Sequence, residues 1–195
     1  MKKFKFNRAY YDRWYRNDET RTFMTEYTPV IARFVFAYLD YLEVEVKTVL
    51  DAGCGLGHWQ TALKNLGRDV RYHGLETSDY LCRELGWEKG SIADHQAEEP
   101  FDLVVCQGVL QYLDDAECKA AIDNLATLCS EALYLEVLTR RDARENCIPE
   151  RTDTDVYLRK GKWYRKRLDR HFVNLGGGLF LSRTCAATCY ELWTA

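Results

Sequence analysis

A glycine-rich turn is the feature of this sequence that most clearly suggests chemistry. Asp51 is followed by glycines at positions 53, 55 and 57, directly after an apolar segment at 48–50. Glycine lets a backbone approach a ligand closely, and a turn that opens a helix presents free N–H groups to it. The spacing is not the Gly-x-Gly-x-x-Gly of dinucleotide-binding proteins, because His58 stands where the third glycine would fall. A tight turn that holds no ligand is the alternative interpretation.

A second acidic residue follows at the end of the next apolar segment. Glu76 closes the segment 72–76 and stands 19 residues after Gly57. A carboxylate at the end of a second strand can accept hydrogen bonds from both hydroxyls of a ribose. An exposed acid in a loop is the alternative. The glycine turn and Glu76 together predict a nucleoside ligand.

The segments around these residues alternate between the apolar patterns of strands and helices. Apolar spacing predicts helices at 28–43, 59–66, 79–85, 118–128 and 163–170, and strands at 48–50, 70–75, 101–106, 132–138, 172–181 and 187–194, with a weaker strand before Gly90. Residues 139–162 are polar and without a clear period, which is typical of a functional loop. We therefore predict an α/β, doubly wound, Rossmann-like fold. Its seven-stranded sheet would be mostly parallel, with an antiparallel C-terminal hairpin and helices on both faces.

The run at 49–57 resembles the first signature of class I S-adenosylmethionine-dependent methyltransferases, whose acidic residue and Gly-x-Gly-x-Gly turn wrap the methionyl part of the cofactor. In that family Glu76 would bind the ribose, the region at 90–92 would flank the adenine, and the loop after the strand at 101–106 would lie beside the transferred methyl. The residues that the resemblance implies for cofactor binding are Asp51, Gly53, Cys54, Gly55, Gly57, Glu76, Thr77, Ser91, Ile92, Gln107 and Gly108. S-adenosylmethionine would be the cofactor and S-adenosylhomocysteine the product, with no metal expected.

The same resemblance suggests how the chain is divided. We expect one methyltransferase domain over 1–195. Within it, 1–45 would form a helical lid or cap, 46–138 the cofactor-binding core, 139–170 a substrate-side insertion with a helix, and 171–195 the C-terminal strands.

Candidates for catalysis come from the two ends of the chain, because methyl transfer needs mainly the alignment of nucleophile, methyl and leaving sulfur. Tyr11 and Tyr15 belong to an aromatic N-terminal stretch that could close over a cationic sulfonium, with core packing as the alternative. His171 is a candidate general base because the pKa of histidine lies near neutrality, and a structural role is its alternative. Four guanidinium groups could bind an anionic substrate: Arg140, Arg141, Arg165 and Arg167.

Composition narrows the partners and the compartment. The chain has 195 residues and a net charge of −3, yet basic residues concentrate in 1–21 and 159–170. Its eight cysteines form neither a clustered disulfide framework nor paired zinc motifs, and no run of about 20 apolar residues is present. We expect a cytoplasmic protein without a membrane partner, its oligomeric state left open.

Three functions stay open at this point. The first is methyl transfer to a small molecule at O, N or S, and the two basic segments suggest that this acceptor could be anionic. The second is methylation of RNA or protein, with the basic segments as the contact surface; the net charge and the lack of an RNA-binding motif count against a nucleic-acid partner. The third is a module that binds an S-adenosyl compound without turning it over.

Overall fold

The computed structural model describes residues 6–22 and 24–194, and a seven-stranded sheet stands at its centre. The strands are β1 (Thr48–Ala52), β2 (Arg71–Glu76), β3 (Glu88–Lys89), β4 (Phe101–Gln107), β5 (Cys129–Glu136), β6 (Phe172–Gly176) and β7 (Leu179–Ser182). The helices are α1 (Arg8–Tyr11), α2 (Met24–Tyr41), α3 (His58–Asn65), α4 (Asp79–Leu85), α5 (Asp115–Leu128), α6 (Arg140–Glu145) and α7 (Gly161–Leu168). A wider π-helical turn at Asp12–Arg16 continues α1, and 3-10 turns lie at Leu110–Tyr112, Pro149–Arg151 and Glu191–Trp193.

The strand order confirms the predicted doubly wound fold. It runs β3-β2-β1-β4-β5-β7-β6, in which β1 to β5 pair in parallel and β7 pairs antiparallel with both β5 and β6. The order reverses at β1, where β2 lies on one side and β4 on the other. In open α/β sheets a ligand binds beyond the carboxyl ends of the strands at such a reversal point.

The C-terminal hairpin differs from the prediction in its position. The segment 172–181, predicted as one strand, contains both β6 and most of β7, whereas 187–194 forms no strand and ends in a short 3-10 turn. The reason lies in Gly176, Gly177 and Gly178, which all have positive φ values, of 84°, 58° and 83°. Three successive residues in this region reverse the chain instead of bending one strand. The hairpin therefore lies within 172–182, ahead of the segment 187–194 that the apolar pattern assigned to its second strand.

Both faces of the sheet are covered, which explains why its central strands are apolar throughout. On one face Leu50, Val104 and Cys106 pack with α5 and α7, and on the other Val49, Leu103 and Val105 pack with α2 and α3. Alternate residues of a strand point to opposite faces, so β1 and β4 feed both cores. These apolar layers fix the register of the strands and therefore the position at which each strand ends along the sheet.

Four further expectations can be compared with the structure. Helix α2 begins at Met24, ahead of the predicted start at residue 28, and the polar segment 139–162 contains the short helix α6. All eight cysteines lie within the described residues and are free thiols. No helix among the described residues has the length and apolar character needed to cross a bilayer.

Candidate active site

A cavity of about 860 Å³, counting its open mouth, lies at the carboxyl edge of β1, β2 and β4. Ten of the eleven residues proposed for cofactor binding line it: Asp51, Gly53, Cys54, Gly55, Glu76, Thr77, Ser91, Ile92, Gln107 and Gly108. Residues far apart in the sequence therefore meet at one place, and we call this space the cofactor cavity.

The glycine turn between β1 and α3 forms the wall nearest the reversal point of the sheet. Its backbone N–H groups at Gly53 and Cys54 donate to the carbonyl of Leu75, 2.7 and 3.1 Å away, which ties the turn to β2. A Cβ on Gly53 would lie 2.4 Å from Cγ2 of Val109, so a side chain has no room there. Gly57, the eleventh proposed residue, does not line the cavity; it caps α3 with φ 75° and packs against Trp87. Its role is to shape the turn.

Glu76 is buried at the end of β2 and its carboxylate holds three backbone N–H groups. Oε2 accepts from the N–H of Gly55 at 2.9 Å, and Oε1 accepts from the N–H groups of Thr77 and Ser78 at 2.7 and 2.8 Å. Each carboxylate oxygen has two acceptor positions, so the group can still receive hydrogen bonds from a ligand. Glu76 thus both joins the glycine turn to β2 and faces the cavity.

Asp51 is the second carboxylate of the cavity and is only 3% exposed. Burial raises its pKa to about 7, with a smaller contribution from the neighbouring charge of Glu76, while a hydrogen bond from the hydroxyl of Tyr72, 2.6 Å from Oδ2, works in the opposite direction. A buried carboxylate in this position gains most from a cationic partner, because pairing restores the charged form that burial disfavours.

The wall opposite the glycine turn is formed by the segment after β3. Gly90, Ser91 and Ile92 line the cavity there, and Asn124 of α5 fixes the segment by donating to the carbonyl of Ile92 at 2.9 Å. Ile92 is 3% exposed, so its apolar side chain is packed into this wall.

At the end of β4, Gln107 is held by hydrogen bonds on both sides. Its Oε1 accepts from Nε1 of Trp59 at 2.8 Å, and its Nε2 donates to Oε2 of Glu136 at 3.1 Å. The N–H of Gly108 donates to the carbonyl of Glu136 at 2.8 Å. These bonds lock the loop after β4 against β5, so its backbone presents a fixed surface to the cavity.

The N-terminal segment covers the cavity with aromatic rings. Phe6, Tyr10, Tyr11 and Tyr15 line it, and the segment is fastened by the Ser78 hydroxyl, which donates to the carbonyl of Phe6 at 2.6 Å. Covering the cavity and packing in the core, the two interpretations of the aromatic stretch, are both met by the same residues. Tyr11, for example, is 4% exposed and also lines the cavity. Phe4 and Phe23 lie outside the described residues.

Burial, with a smaller contribution from the nearby charge of Glu76, raises the pKa of Tyr11 and of Tyr15 well above its usual range. Both phenols therefore stay protonated at neutral pH and can donate hydrogen bonds, but they cannot serve as bases. They are fixed neutral rings over the cavity.

His171 is not part of this site, and its prediction as a general base is wrong on geometric grounds. It precedes β6, which runs in the direction of β5, so it lies at the amino edge of the sheet, opposite the cofactor cavity. There its Nε2 lies 3.1 Å from Oδ1 of Asp123 on α5. The position of a histidine next to a strand did not reveal at which end of the sheet that strand begins.

The four guanidinium groups proposed to bind an anionic substrate also lie elsewhere. Arg140 and Arg167 line a separate basic cleft, Arg141 pairs with Glu145 at 2.6 Å, and Arg165 lies on α7. None of the four lines the cofactor cavity.

The structure adds residues that the sequence analysis missed. His58, noted only for its place after the glycine turn, lines the cavity, and its ring stacks on Tyr15 with centroids 6.3 Å apart. Burial lowers its pKa. Tyr112, from the 3-10 turn after β4, also lines the cavity and its hydroxyl lies 2.8 Å from that of Tyr10. Tyr112 belongs to the loop after β4 that the resemblance places beside the transferred methyl, but its contact with Tyr10, 102 positions away, could not be read from the sequence.

A second cavity adjoins the first beyond the carboxyl ends of β4 and β5. Tyr10, Tyr15, Gln107, Gly108 and Tyr112 line both, so the two spaces share a wall. The remaining lining of the second cavity comes from Thr22, the first turns of α2, Gln111 in the 3-10 turn after β4, the end of β5 with Leu138, and the 147–153 segment. We call it the acceptor-side cavity.

One set of side chains among the described residues could hold a metal ion. Ligand atoms of His73, Glu88 and His95 lie within 4.8 Å of one another at the β2–β3 edge of the sheet. Glu88 approaches Nε2 of His73 at 2.7 Å and Nδ1 of His95 at 3.5 Å. None of the three lines either cavity, so this set takes no part in the site described above.

A family model described as a methyltransferase domain matches residues 21–180 of the chain. None of the curated proteins compared with the chain matches it. The fold and the cofactor cavity define a class I S-adenosylmethionine-dependent methyltransferase, as the glycine turn predicted. The chain belongs to this methyltransferase-domain family.

Solved structures with the same fold include three methyltransferases. Magnesium protoporphyrin IX methyltransferase from Synechocystis PCC 6803, with bound S-adenosylhomocysteine, is 23% identical over 86% of each chain, with a TM-score of 0.60. The N-methyltransferase NodS from Bradyrhizobium japonicum WM9, also with S-adenosylhomocysteine, is 16% identical over 87% of this chain and 91% of its own, with a TM-score of 0.60. The S-adenosylmethionine-bound amino pentose methyltransferase CalS10 from Micromonospora echinaspora is 15% identical over 80% of this chain and 90% of its own, at 0.55.

Proposed function

We propose that this enzyme methylates a small molecule, which binds in the acceptor-side cavity. The observation that carries this proposal is that the acceptor-side cavity shares a wall with the cofactor cavity and is bounded by α2 and the 147–153 segment. A pocket bounded by these segments suits a small molecule better than a nucleic-acid duplex or a folded protein. Small-molecule methyltransferases of the same fold support it.

We assign the cofactor-binding roles as follows. Asp51 and the turn at Gly53, Cys54 and Gly55 would hold the methionyl part, because a buried carboxylate suits the ammonium group of an α-amino acid and glycines let the backbone approach it closely. Glu76 and Thr77 would hold the ribose. Ser91 and Ile92 would hold the adenine, and Gln107 with Gly108 would lie beside the methyl group.

The bound cofactor would supply a methyl group on a sulfonium, and the protein would contribute alignment. Tyr11 and Tyr15 would close the cavity, exclude water and place ring faces near a cationic centre. His58 is the one histidine that lines either cavity among the four, all of which the structure describes. Its lowered pKa keeps the imidazole neutral at pH 7, so it could receive a proton from an acceptor.

Calorimetric titration of the purified protein with S-adenosylmethionine, S-adenosylhomocysteine and NAD tests the cofactor part of this proposal. Both S-adenosyl compounds should bind and NAD should not. Methyl-labelled S-adenosylmethionine, incubated with separate small-molecule, RNA and protein fractions of a cell extract, tests the acceptor. Label in the small-molecule fraction is the expected result, and label confined to RNA or protein would contradict the proposal.

One observation favours a second candidate, the methylation of RNA. A cleft apart from the cofactor cavity is lined by Lys160, Lys162, Lys166 and Arg167 together with the aromatic ring of Trp163. Basic groups beside a partly exposed aromatic ring such as Trp163 are typical of surfaces that bind nucleic acid. Binding of RNA that weakens steeply with salt, and that is lost when Lys162 and Lys166 are changed to Gln, would favour this candidate.

A further inference from the structure

The acceptor-side cavity differs in charge from the basic segments that suggested an anionic substrate. The carboxylates of Glu136, at the end of β5, and Asp153 both line it. The Tyr112 hydroxyl donates to Oδ2 of Asp153 at 3.2 Å, and the Tyr134 hydroxyl donates to Oε2 of Glu136 at 3.1 Å. These bonds fix both carboxylates, so the cavity has two negative groups in set positions.

The cavity also contains a buried hydrogen-bond acceptor that has no donor. Gln111 is 8% exposed and lines the cavity, and its Oε1 has no hydrogen-bond partner among the described residues. Buried acceptors are almost always satisfied in folded proteins, so this oxygen calls for a donor on a bound molecule. The Oγ1 of Thr22, in the same lining, is likewise buried without a partner.

The positive charge in the lining is directed toward other partners. Arg151 is the one Lys or Arg among the described lining residues, and its Nε donates to the carbonyl of Arg21 at 2.7 Å. Its Nη2 lies 3.7 Å from Oε1 of Glu26. The phenol of Tyr112 adds no charge, because burial raises its pKa well above its usual range. A negatively charged substrate would therefore lie beside two carboxylates, while the guanidinium of Arg151 is held by Arg21 and Glu26.

We infer that the acceptor is a primary or secondary amine, an inference that rests on the proposed function. A cationic, donor-rich group matches two carboxylates and an unsatisfied amide oxygen, whereas a carboxylate or phosphate would be repelled. Aromatic and aliphatic side chains of the same lining, Tyr27, Val30, Ile31 and Leu138, would hold an apolar body of the molecule.

The chemistry balances with no further reactant. An alkylammonium group that reaches the cavity gives one proton to water at the Asp153 side and becomes the neutral amine. Its lone pair forms the new C–N bond as the methyl–sulfur bond breaks, and the electron pair of that bond stays on sulfur. The products are an N-methylammonium ion, the neutral sulfide S-adenosylhomocysteine and one proton. The carboxylates would position the amine and stabilise the positive charge on nitrogen.

Probe binding tests this inference apart from turnover. The probes are two matched triplets, each an amine, an alcohol and a carboxylate that differ in this group alone. The first is tyramine, tyrosol and 4-hydroxyphenylacetate; the second is cyclohexylmethylamine, cyclohexylmethanol and cyclohexanecarboxylate. Ligand-observed NMR and calorimetry, with and without S-adenosylhomocysteine, measure their binding to the wild type. We expect the amines to bind at least about tenfold more tightly than their carboxylates.

Two variants and a control assign the preference to the cavity. Asp153→Asn and Glu136→Gln should each reduce the amine preference severalfold, while Glu150→Gln, an exposed carboxylate outside the cavity, should leave it unchanged. Thermal melting checks that each variant folds, and the two variants report independently. Equal or tighter binding of the carboxylates, no binding of either amine, or a preference that survives both variants would overturn the inference. Failure of S-adenosylhomocysteine itself to bind would instead overturn the proposed function.

Discussion

Replacing Glu76 by Gln tests the role of this residue in ribose binding with little change of shape. The carboxylate accepts three backbone N–H groups, two at Oε1 and one, from Gly55, at Oε2. Gln keeps one oxygen, which the two donors at Thr77 and Ser78 would hold. The amide NH₂ then faces Gly55 and the cavity, and it cannot accept from a ribose hydroxyl.

The expected magnitude follows from this count. One hydrogen bond from a ribose hydroxyl to a charged group contributes about 1.5–3 kcal/mol, so its loss should weaken binding by about 10- to 150-fold. The N–H of Gly55 loses its acceptor in the same variant, which should lower the free energy of unfolding by about 1–3 kcal/mol. The two effects are separable, because only the first depends on the ligand's hydroxyls.

Calorimetry with adenosine and 2′,3′-dideoxyadenosine separates them. Adenosine should lose at least about tenfold in affinity in Glu76→Gln, while the dideoxy compound, which has no hydroxyls to offer, should change by less than about threefold. Glu84→Gln, an exposed acid on α4, is the matched control and should change neither. An equal loss for both ligands would refute ribose binding and leave Glu76 with its structural role alone.

Three further predictions concern the turn, the pH dependence and the excluded histidine. Gly55→Ala and Gly67→Ala place a side chain at similar positive φ values, 54° and 65°, so each should lower the free energy of unfolding by about 1–2 kcal/mol. Only Gly55 lines the cofactor cavity, so only Gly55→Ala should weaken S-adenosylhomocysteine binding in calorimetry, and a similar loss in both variants would contradict this. Because the pKa of Asp51 is raised to about 7, its proton must leave before the carboxylate can pair with the ligand's ammonium group. The affinity for S-adenosylhomocysteine should therefore rise with pH up to about 7 and then become constant. If Asp51→Asn shows the same pH profile, another group is responsible for it. The same raised pKa means that ionisation of Asp51 disfavours the ligand-free fold, so the contribution of Asp51 to stability should fall as the pH rises from about 4 to about 7, seen as a difference between thermal melts of the wild type and Asp51→Asn. His171→Ala should leave kcat and KM for methyl transfer unchanged, since the residue contacts Asp123 at the opposite edge of the sheet, and a tenfold or greater fall in kcat would restore it as a candidate base.

The sequence alone carried most of the fold and nearly all of the cofactor cavity, because both depend on short-range patterns. Alternating apolar segments specify strands and helices locally, and a glycine turn after a strand is recognisable within seven residues, 51–57. Glu76 could be found because parallel strands of similar length end at the same edge, so a fixed chain distance from the turn brings it to Gly55.

Tertiary structure alone decided what surrounds the acceptor and which candidates belong to the site. Tyr10 meets Tyr112 and Tyr112 meets Asp153 across 102 and 41 positions, contacts that no local pattern encodes. His171 was excluded by the direction in which β6 enters the sheet, the same as that of β5, which places its first residue at the amino edge. Five of the seven basic residues of 159–170 line a different cleft, while two carboxylates and an unsatisfied amide oxygen line the acceptor-side cavity. The sequence shows the sign of each charged side chain, but the packing of distant segments determines which cavity that side chain lines.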